Sequence, residues 1–270
     1  MSFPFRKMHG AANDFVVLDH RRPFLPADPA ARTALFARLC DRRRGIGADG
    51  VLLLETDAAL DFAFVYHNAD GGPADFCGNG ARCLARFALD LGLGGNGRVR
   101  FRTPVGEKRA EALSDGRIAL AFGAVGAPEP VRVEAGGRGF QGVFVLAGVP
   151  HFVVPVERVE DVPLAAWAPA LRRHARFGGA GANVDFVARR GAGGVAMRTF
   201  ERGVEGETLA CGSGAIASAR WAAGDEPSAP VVVRTAGGDD LVVSFARESG
   251  SIAATLTGPA ETVFTGEWPD

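Results

Sequence analysis

The apolar positions of this chain fall into short runs separated by glycine, proline and polar clusters, and their spacing alternates between a strand-like period of two and a helical period of about 3.6. Phe15 to Leu18 and Phe152 to Val156 read as short buried strands. Each run leads to a proline, Pro29 or Pro163, of the kind that suits the first position of a helix. A glycine-rich loop then opens into a strand and a second strand. In the first half that second strand turns Phe62, Phe64 and Tyr66 toward one face. The following turn carries Cys77 into a helix with Leu84, Phe87, Ala88 and Leu91 at helical spacing, closed by Gly92.

The two series are similar because the chain repeats itself. At an offset of 134, Cys77-Gly78-Asn79-Gly80-Ala81 lies on Cys211-Gly212-Ser213-Gly214-Ala215, and seven of the twelve positions from Cys77 to Ala88 are identical. Upstream, Gly45, Gly47, Ala48 and Asp49 fall on Gly179, Gly181, Ala182 and Asn183, and Pro29 falls on Pro163. Downstream the offset becomes 132, placing Val99, Arg102, Thr103 and Gly106 on Val231, Arg234, Thr235 and Gly238. The register holds across cysteine, a rare residue, as well as across glycine and alanine. The expected fold is α+β, two pseudo-symmetric repeat halves, each a mixed or antiparallel sheet curled around a central helix. A turn-forming cluster, Ser114-Asp115-Gly116, marks the seam, giving halves 1–115 and 116–257, with the segment 258–270 returning to the first.

Composition narrows the function classes. A chain of 270 residues, 47% hydrophobic, can bury one large core or two medium ones. Its 30 basic and 31 acidic residues give a net charge of −1, so no global field draws in nucleic acid or an anionic membrane. The opening MSFPFRKMHG lacks an apolar stretch of signal-peptide length, and four cysteines without a C-x-x-C argue against a disulfide framework or a structural zinc site. The expectation is a cytoplasmic protein without metal that recognises a small molecule locally.

Cys77 and Cys211 carry the candidate chemistry. A cysteine where a strand turns into a helix meets unpaired N–H groups and the positive end of the helix dipole, which favour thiolate. Its ordinary pKa of about 8.5 is thereby expected to move toward neutrality, where it can take or give a proton. The glycines that follow let a ligand approach the backbone, so the same N–H groups suit a carboxylate. Two such turns in a pseudo-twofold arrangement supply one proton donor and one acceptor for opposite faces of a carbon. Cys40 and Cys83 read as buried small hydrophobes.

Lys7-Met8-His9-Gly10, Asn13-Asp14-Phe15-Val16-Val17, Gly45-Ile46-Gly47-Ala48-Asp49, Asn68-Ala69-Asp70-Gly71, Cys77-Gly78-Asn79-Gly80 and Glu201-Arg202-Gly203-Val204 before Cys211-Gly212-Ser213-Gly214 together resemble the diaminopimelate epimerases, essentially end to end. The resemblance implies two α/β halves that close around substrate, no cofactor, and interconversion of LL- and meso-diaminopimelate. It makes Cys77 the conventional proton donor and Cys211 the acceptor, with both serving both roles in a reversible reaction. It assigns substrate contacts to Asn13, Asn68, Asn183, Glu201 and Arg202, carboxylate binding at the helix starts to Gly78-Asn79 and Gly212-Ser213, and support of catalysis to His151 and Glu201. It admits a homodimer. His67, aligned by the repeat with Glu201, reads as structural.

Two positions depart from the pattern: Gly50 stands where many members have glutamine, and Val149 where many have asparagine. They keep open a racemase of another amino acid, such as histidine, on the same fold. From other classes, an amino-acid binding protein without catalysis and a thiol redox protein remain alternatives.

Overall fold

A computed structural model describes residues 2–191, 193–224, 227–248 and 250–269. The chain divides into two compact units, residues 1–121 with 258–270 and residues 122–257. The first contains β1 (Phe3–Gly10), β2 (Asn13–Asp19), α1 (Pro29–Cys40), β3 (Gly50–Glu55), β4 (Phe62–Asn68), β5 (Pro73–Ala74), α2 (Gly78–Asp90), β6 (Arg98–Thr103) and β7 (Gly106–Ala112). The chain leaves this unit within β8 (Ile118–Val125), just beyond the Ser114-Asp115-Gly116 turn, which joins β7 to β8.

The second unit contains β9 (Glu129–Ala135), β10 (Arg138–Ala147), β11 (Val149–Pro155), α3 (Leu164–Arg172), β12 (Asn183–Arg190), β13 (Gly194–Glu201), β14 (Gly206–Thr208), α4 (Gly212–Ala223), β15 (Val231–Arg234), β16 (Asp240–Glu248) and β17 (Ser251–Gly258). The chain then returns to the first unit for β18 (Glu261–Trp268).

The strand pairings repeat. In the first unit the order is β18-β1-β2-β3-β4-β6-β7, with β2–β3 and β4–β6 parallel and the other pairs antiparallel. In the second it is β9-β10-β11-β12-β13-β15-β16, with β11–β12 and β13–β15 parallel. Each unit is therefore a mixed sheet built on one plan, and α2 and α4 are buried along most of their lengths. The fold is the expected α+β repeat.

The period-two alternation of the strands sorts side chains between helices. In the first unit Phe15, Val17, Leu52 and Leu54 pack in the core around α2, while Val16, Leu18, Val51 and Leu53 pack with Phe36 and Leu39 of α1. Each fully buried Phe or Leu contributes roughly 1.5–3 kcal/mol. In the second unit Phe152, Val154, Val184 and Phe186 pack with Leu164, Ala168 and Leu171 of α3. The opposite face of the same two strands presents His151, Asn183 and Asp185, all buried. That polar face requires internal partners.

The helix starts are capped as the local sequence dictates. Asp28 accepts a hydrogen bond from Ala31 N–H, with Pro29 at the first helical position. Pro163 stands one residue earlier than expected, as the N-cap of α3. Phe62 and Phe64 are buried, with Tyr66 partly buried against the same core, as the alternation required. Leu91 departs from expectation: it follows α2 as its C-cap and is exposed, because Gly92 at φ +77° turns the chain away there. Among the described residues no helix is long and apolar enough to cross a membrane.

Gly50 has a steric cause. A Cβ there would lie 2.4 Å from the His67 carbonyl oxygen and 2.6 Å from Cε2 of Tyr66. The neighbouring strand thus fills the space that a glutamine side chain would need. Gly50→Ala is expected to lower stability by about 3 kcal/mol, because a backbone carbonyl cannot swing aside. Denaturant unfolding checks this, and a midpoint equal to that of the parent refutes it.

Candidate active site

Each unit holds one half of the expected chemistry, built at the start of its central helix. In the first, Cys77 is the N-cap of α2, with extended backbone at φ −138° and ψ 120°. Its thiol donates to Asn13 Oδ1 at 3.5 Å. Asn13 Nδ2 donates to Asp49 Oδ2 at 2.7 Å, and since a carboxylate only accepts, this fixes which end of the Asn13 amide faces the cysteine. Asn79 Nδ2 also donates to Asn13 Oδ1, at 3.2 Å, and Asn79 Oδ1 accepts from the buried Arg82 guanidinium at 2.9 Å. The Asn79 amide is thus held by protein, which leaves the first-turn N–H groups of α2 as the element there whose chemistry suits an anion.

Asp49 belongs to a network that the sequence did not reveal. Arg42 donates to both Asp14 and Asp49, and the buried Lys7 ammonium donates to Asp14 and to the Gly47 carbonyl. Burial pushes the Asp14 carboxyl up, but its bonds to Arg42 and Lys7 outweigh that and hold it at about 2. These charges tie the β1–β2 hairpin to the glycine loop. The hairpin turn places Ala11 and Ala12 in the left-handed region, at φ 58° and 64°, a strain of roughly 1–2 kcal/mol per residue directly before Asn13. Asn68 ends β4 with its side chain exposed, its backbone closing a turn to Gly71 and Gly72. The His67 ring packs on Phe36 and its Nδ1 bonds to the Gly71 carbonyl, a structural role.

In the second unit Cys211 is the N-cap of α4, and its sulfur accepts from Gly214 N–H at 3.4 Å. Here the expectation of a thiol drawn toward neutral pH is overturned. Burial pushes the Cys211 thiol well up, and the neighbouring Glu201 and Asp185 charges push further; the contacts with Ser213 and Gly214 N–H oppose them without prevailing. Cys211 therefore rests as a thiol. Burial likewise raises the Glu201 carboxyl, against the hydrogen bond from Thr208, the proximity of His151 and the hydrogen bond with Cys211.

His151 is fully buried between Asp185, 2.7 Å from Nδ1, and Ser213 Oγ, 2.9 Å from Nε2. Thr199 donates to the other Asp185 oxygen at 2.7 Å. Asn183 Oδ1 accepts from Arg202 N–H at 2.7 Å, which turns its Nδ2 toward His151 Nε2 at 3.3 Å. Salt bridges nearby run from Arg172 and Arg173 to Glu205 and from Arg198 to Glu207. Among the described residues the Arg202 guanidinium pairs with no carboxylate and is available to one from a ligand.

Cys211, His151, Glu201, Asn183, Arg202, Gly212 and Ser213 thus share one neighbourhood, and Cys77, Asn13, Gly78 and Asn79 another. Sequence reasoning missed Asp185 and Thr199. The available signal was a carboxylate inside the apolar run Ala182 to Ala188, which a strand buried on both faces does not carry without a partner. Among the described residues no three His, Cys, Asp or Glu side chains gather as a metal site.

Comparison with known proteins places these features in context. A family model described as diaminopimelate epimerase matches residues 5–126 and again 143–263, one match for each repeat. The diaminopimelate epimerase of Aquifex aeolicus is 39% identical over 271 residues, covering 97% of this chain and 96% of that one. That of Methanocella arvoryzae is 40% identical over 281 residues, covering 97% and 95%. A solved structure described as a probable proline racemase from Agrobacterium radiobacter, with bound carbonate, superposes with a TM-score of 0.73 at 17% identity, over 97% of this chain and 92% of that one, which shows a shared fold. Full-length matches at this identity, together with a family model that fits both halves of the repeat, establish that the chain belongs to the diaminopimelate epimerase family of isomerases.

Proposed function

We propose that this chain interconverts LL- and meso-diaminopimelate by moving a proton at one α-carbon between two thiols, Cys77 and Cys211, without a cofactor. The observation that carries the reading is that both cysteines of the repeated Cys-Gly-x-Gly motif cap the central helices of a chain whose family is established. Epimerisation requires hydrogen to leave one face of a carbon and return on the other, and a pseudo-symmetric pair of acid–base groups suits that need.

The surrounding residues have chemistry that fits. The Arg202 guanidinium and the exposed Asn68 amide suit a carboxylate and an ammonium. The first-turn N–H groups of α2 and α4 suit the α-carboxylate, whose charge grows as the α-hydrogen leaves. Asn13 orients the Cys77 thiol, and Glu201 and His151 stand beside Cys211. Each thiol serves as proton donor in one direction of the reaction and as acceptor in the other.

Proton NMR of the enzyme with LL-diaminopimelate in deuterated water, without added pyridoxal phosphate or metal, tests the reading. Deuterium should enter one α-position as meso-diaminopimelate accumulates. Absence of both, or racemisation of histidine with no action on LL-diaminopimelate, refutes it.

A further inference from the structure

The second unit contains more proton-handling groups than the two-thiol reading uses. Their orientations follow in order from a single fixed donor. Arg202 N–H is a backbone donor, so the Asn183 atom it meets is Oδ1, and Asn183 presents its NH2 to His151. An amide NH2 only donates, so His151 Nε2 is the acceptor and the ring proton lies on Nδ1, toward Asp185. With Nε2 an acceptor, the Ser213 hydroxyl donates to it at 2.9 Å. The Ser213 oxygen can then accept the Cys211 thiol proton across 3.5 Å, as can the Glu201 carboxyl, with which the same thiol also hydrogen-bonds. Thr199 pins the far oxygen of Asp185, and Gly214 lies too close to that carboxylate to bear a side chain.

We propose that Asp185 is a positioning residue for this reaction: it fixes His151 so that Cys211 exchanges its proton with the imidazole through the Ser213 hydroxyl. This rests on the two-thiol reading. The step balances within the chain. The Sγ–H bond of Cys211 breaks as its proton joins Ser213 Oγ, while the proton already on Oγ passes to His151 Nε2. The products are a thiolate, an intact serine and an imidazolium beside the Asp185 carboxylate; reversal restores the thiol. Such a route answers a difficulty of the site, since Cys211 must at times accept a proton although its surroundings favour the thiol. The titratable groups facing it are Glu201 from β13, Asp185 from β12 and His151 from β11. Of these, His151 is the one that becomes positive on receiving the proton and so stabilises the thiolate left behind.

The test uses the full chain and needs no substrate. Alkylation of Cys211 and Cys77 by iodoacetamide is followed by peptide mass spectrometry across a pH series, in the parent protein, Asp185→Asn and Ser213→Ala. Ser213→Ala should shift the Cys211 midpoint upward by about one pH unit and slow its labelling near neutrality about tenfold, with Cys77 unchanged in the same samples. Asp185→Asn removes a charge that by itself holds the thiol up, so an upward shift there, against the sign of that charge, reports loss of the positioned imidazole. The Asp185→Asn variant should also lose the downfield His151 Nδ1–H resonance. A Cys211 midpoint at or below the parental one in either folded variant overturns the proposal. If Asp185→Asn does not fold, Ser213→Ala decides, since it removes a hydroxyl that is only half-buried. A parent protein inert toward LL-diaminopimelate refutes the functional reading separately and leaves the alkylation result to stand.

Discussion

Cys77→Ala and Cys211→Ala should each leave no measurable epimerisation, a loss of at least about 10³-fold, because one positioned acid–base group contributes roughly 10²–10⁴ and inversion cannot proceed with one face unserved. The two variants should also differ from simple inactivation. A single remaining thiol can remove the α-hydrogen of the epimer that faces it and return solvent hydrogen to the same side. Each variant should therefore retain slow α-deuterium exchange of one epimer without inversion, with opposite preferences. Full turnover by either variant sinks the two-base mechanism. Cys211 is buried and Cys77 half-buried, so thermal melts should accompany the assay to confirm that each variant is folded.

The second large effect separates two glycines that the repeat makes equivalent, Gly80 and Gly214. An added Cβ at Gly214 would lie 2.6 Å from Asp185 Oδ1 and 3.2 Å from both Thr199 Oγ1 and the Cys211 Cβ. The carboxylate is already held by His151 and Thr199, so it cannot retreat without breaking one of those bonds. At Gly80 the added Cβ would meet Leu52 Cδ2 at 3.0 Å and Phe15 Cζ at 3.4 Å, and a leucine methyl can shift. Alanine gains about 1 kcal/mol over glycine in a helix at both positions. Overpacking of about 3 kcal/mol exceeds that gain at Gly214, leaving a net loss of about 2, whereas at Gly80 the two effects roughly cancel. Gly214→Ala should also reduce kcat on the order of 100-fold, as displacement of a buried supporting group often does. Unfolding midpoints and steady-state rates measured on the pair decide it: equal damage at both positions refutes the assignment of Asp185 to the space beside Gly214.

Much of this was legible in the chain. The 134-residue offset identified two copies of one plan, and the parallel and antiparallel pairings of the two units repeat as that duplication requires. Both cysteines were legible as helix N-caps because strand alternation ends and helical spacing begins at each. Pro163 and Leu91 each missed by one position at a helix end, where local signals are weakest.

Protonation was not legible. The helix start argued for a thiolate at both cysteines from local structure alone. At Cys211 the larger influences are burial and the charges of Glu201 and Asp185, which reach it from strands β13 and β12. The partners of Asn13 were hidden for the same reason: Asp49 is 36 residues away in sequence and Asn79 is 66. Backbone periodicity and glycine placement are properties of neighbouring residues, so the sequence by itself determined the repeat, the elements and the two thiols at their helix starts. Desolvation and hydrogen bonding depend on groups that meet only when distant strands pair. The tertiary structure alone therefore decided that Cys211 rests as a thiol, that Asn13 faces Cys77 through its carbonyl, and that a buried aspartate stands behind His151.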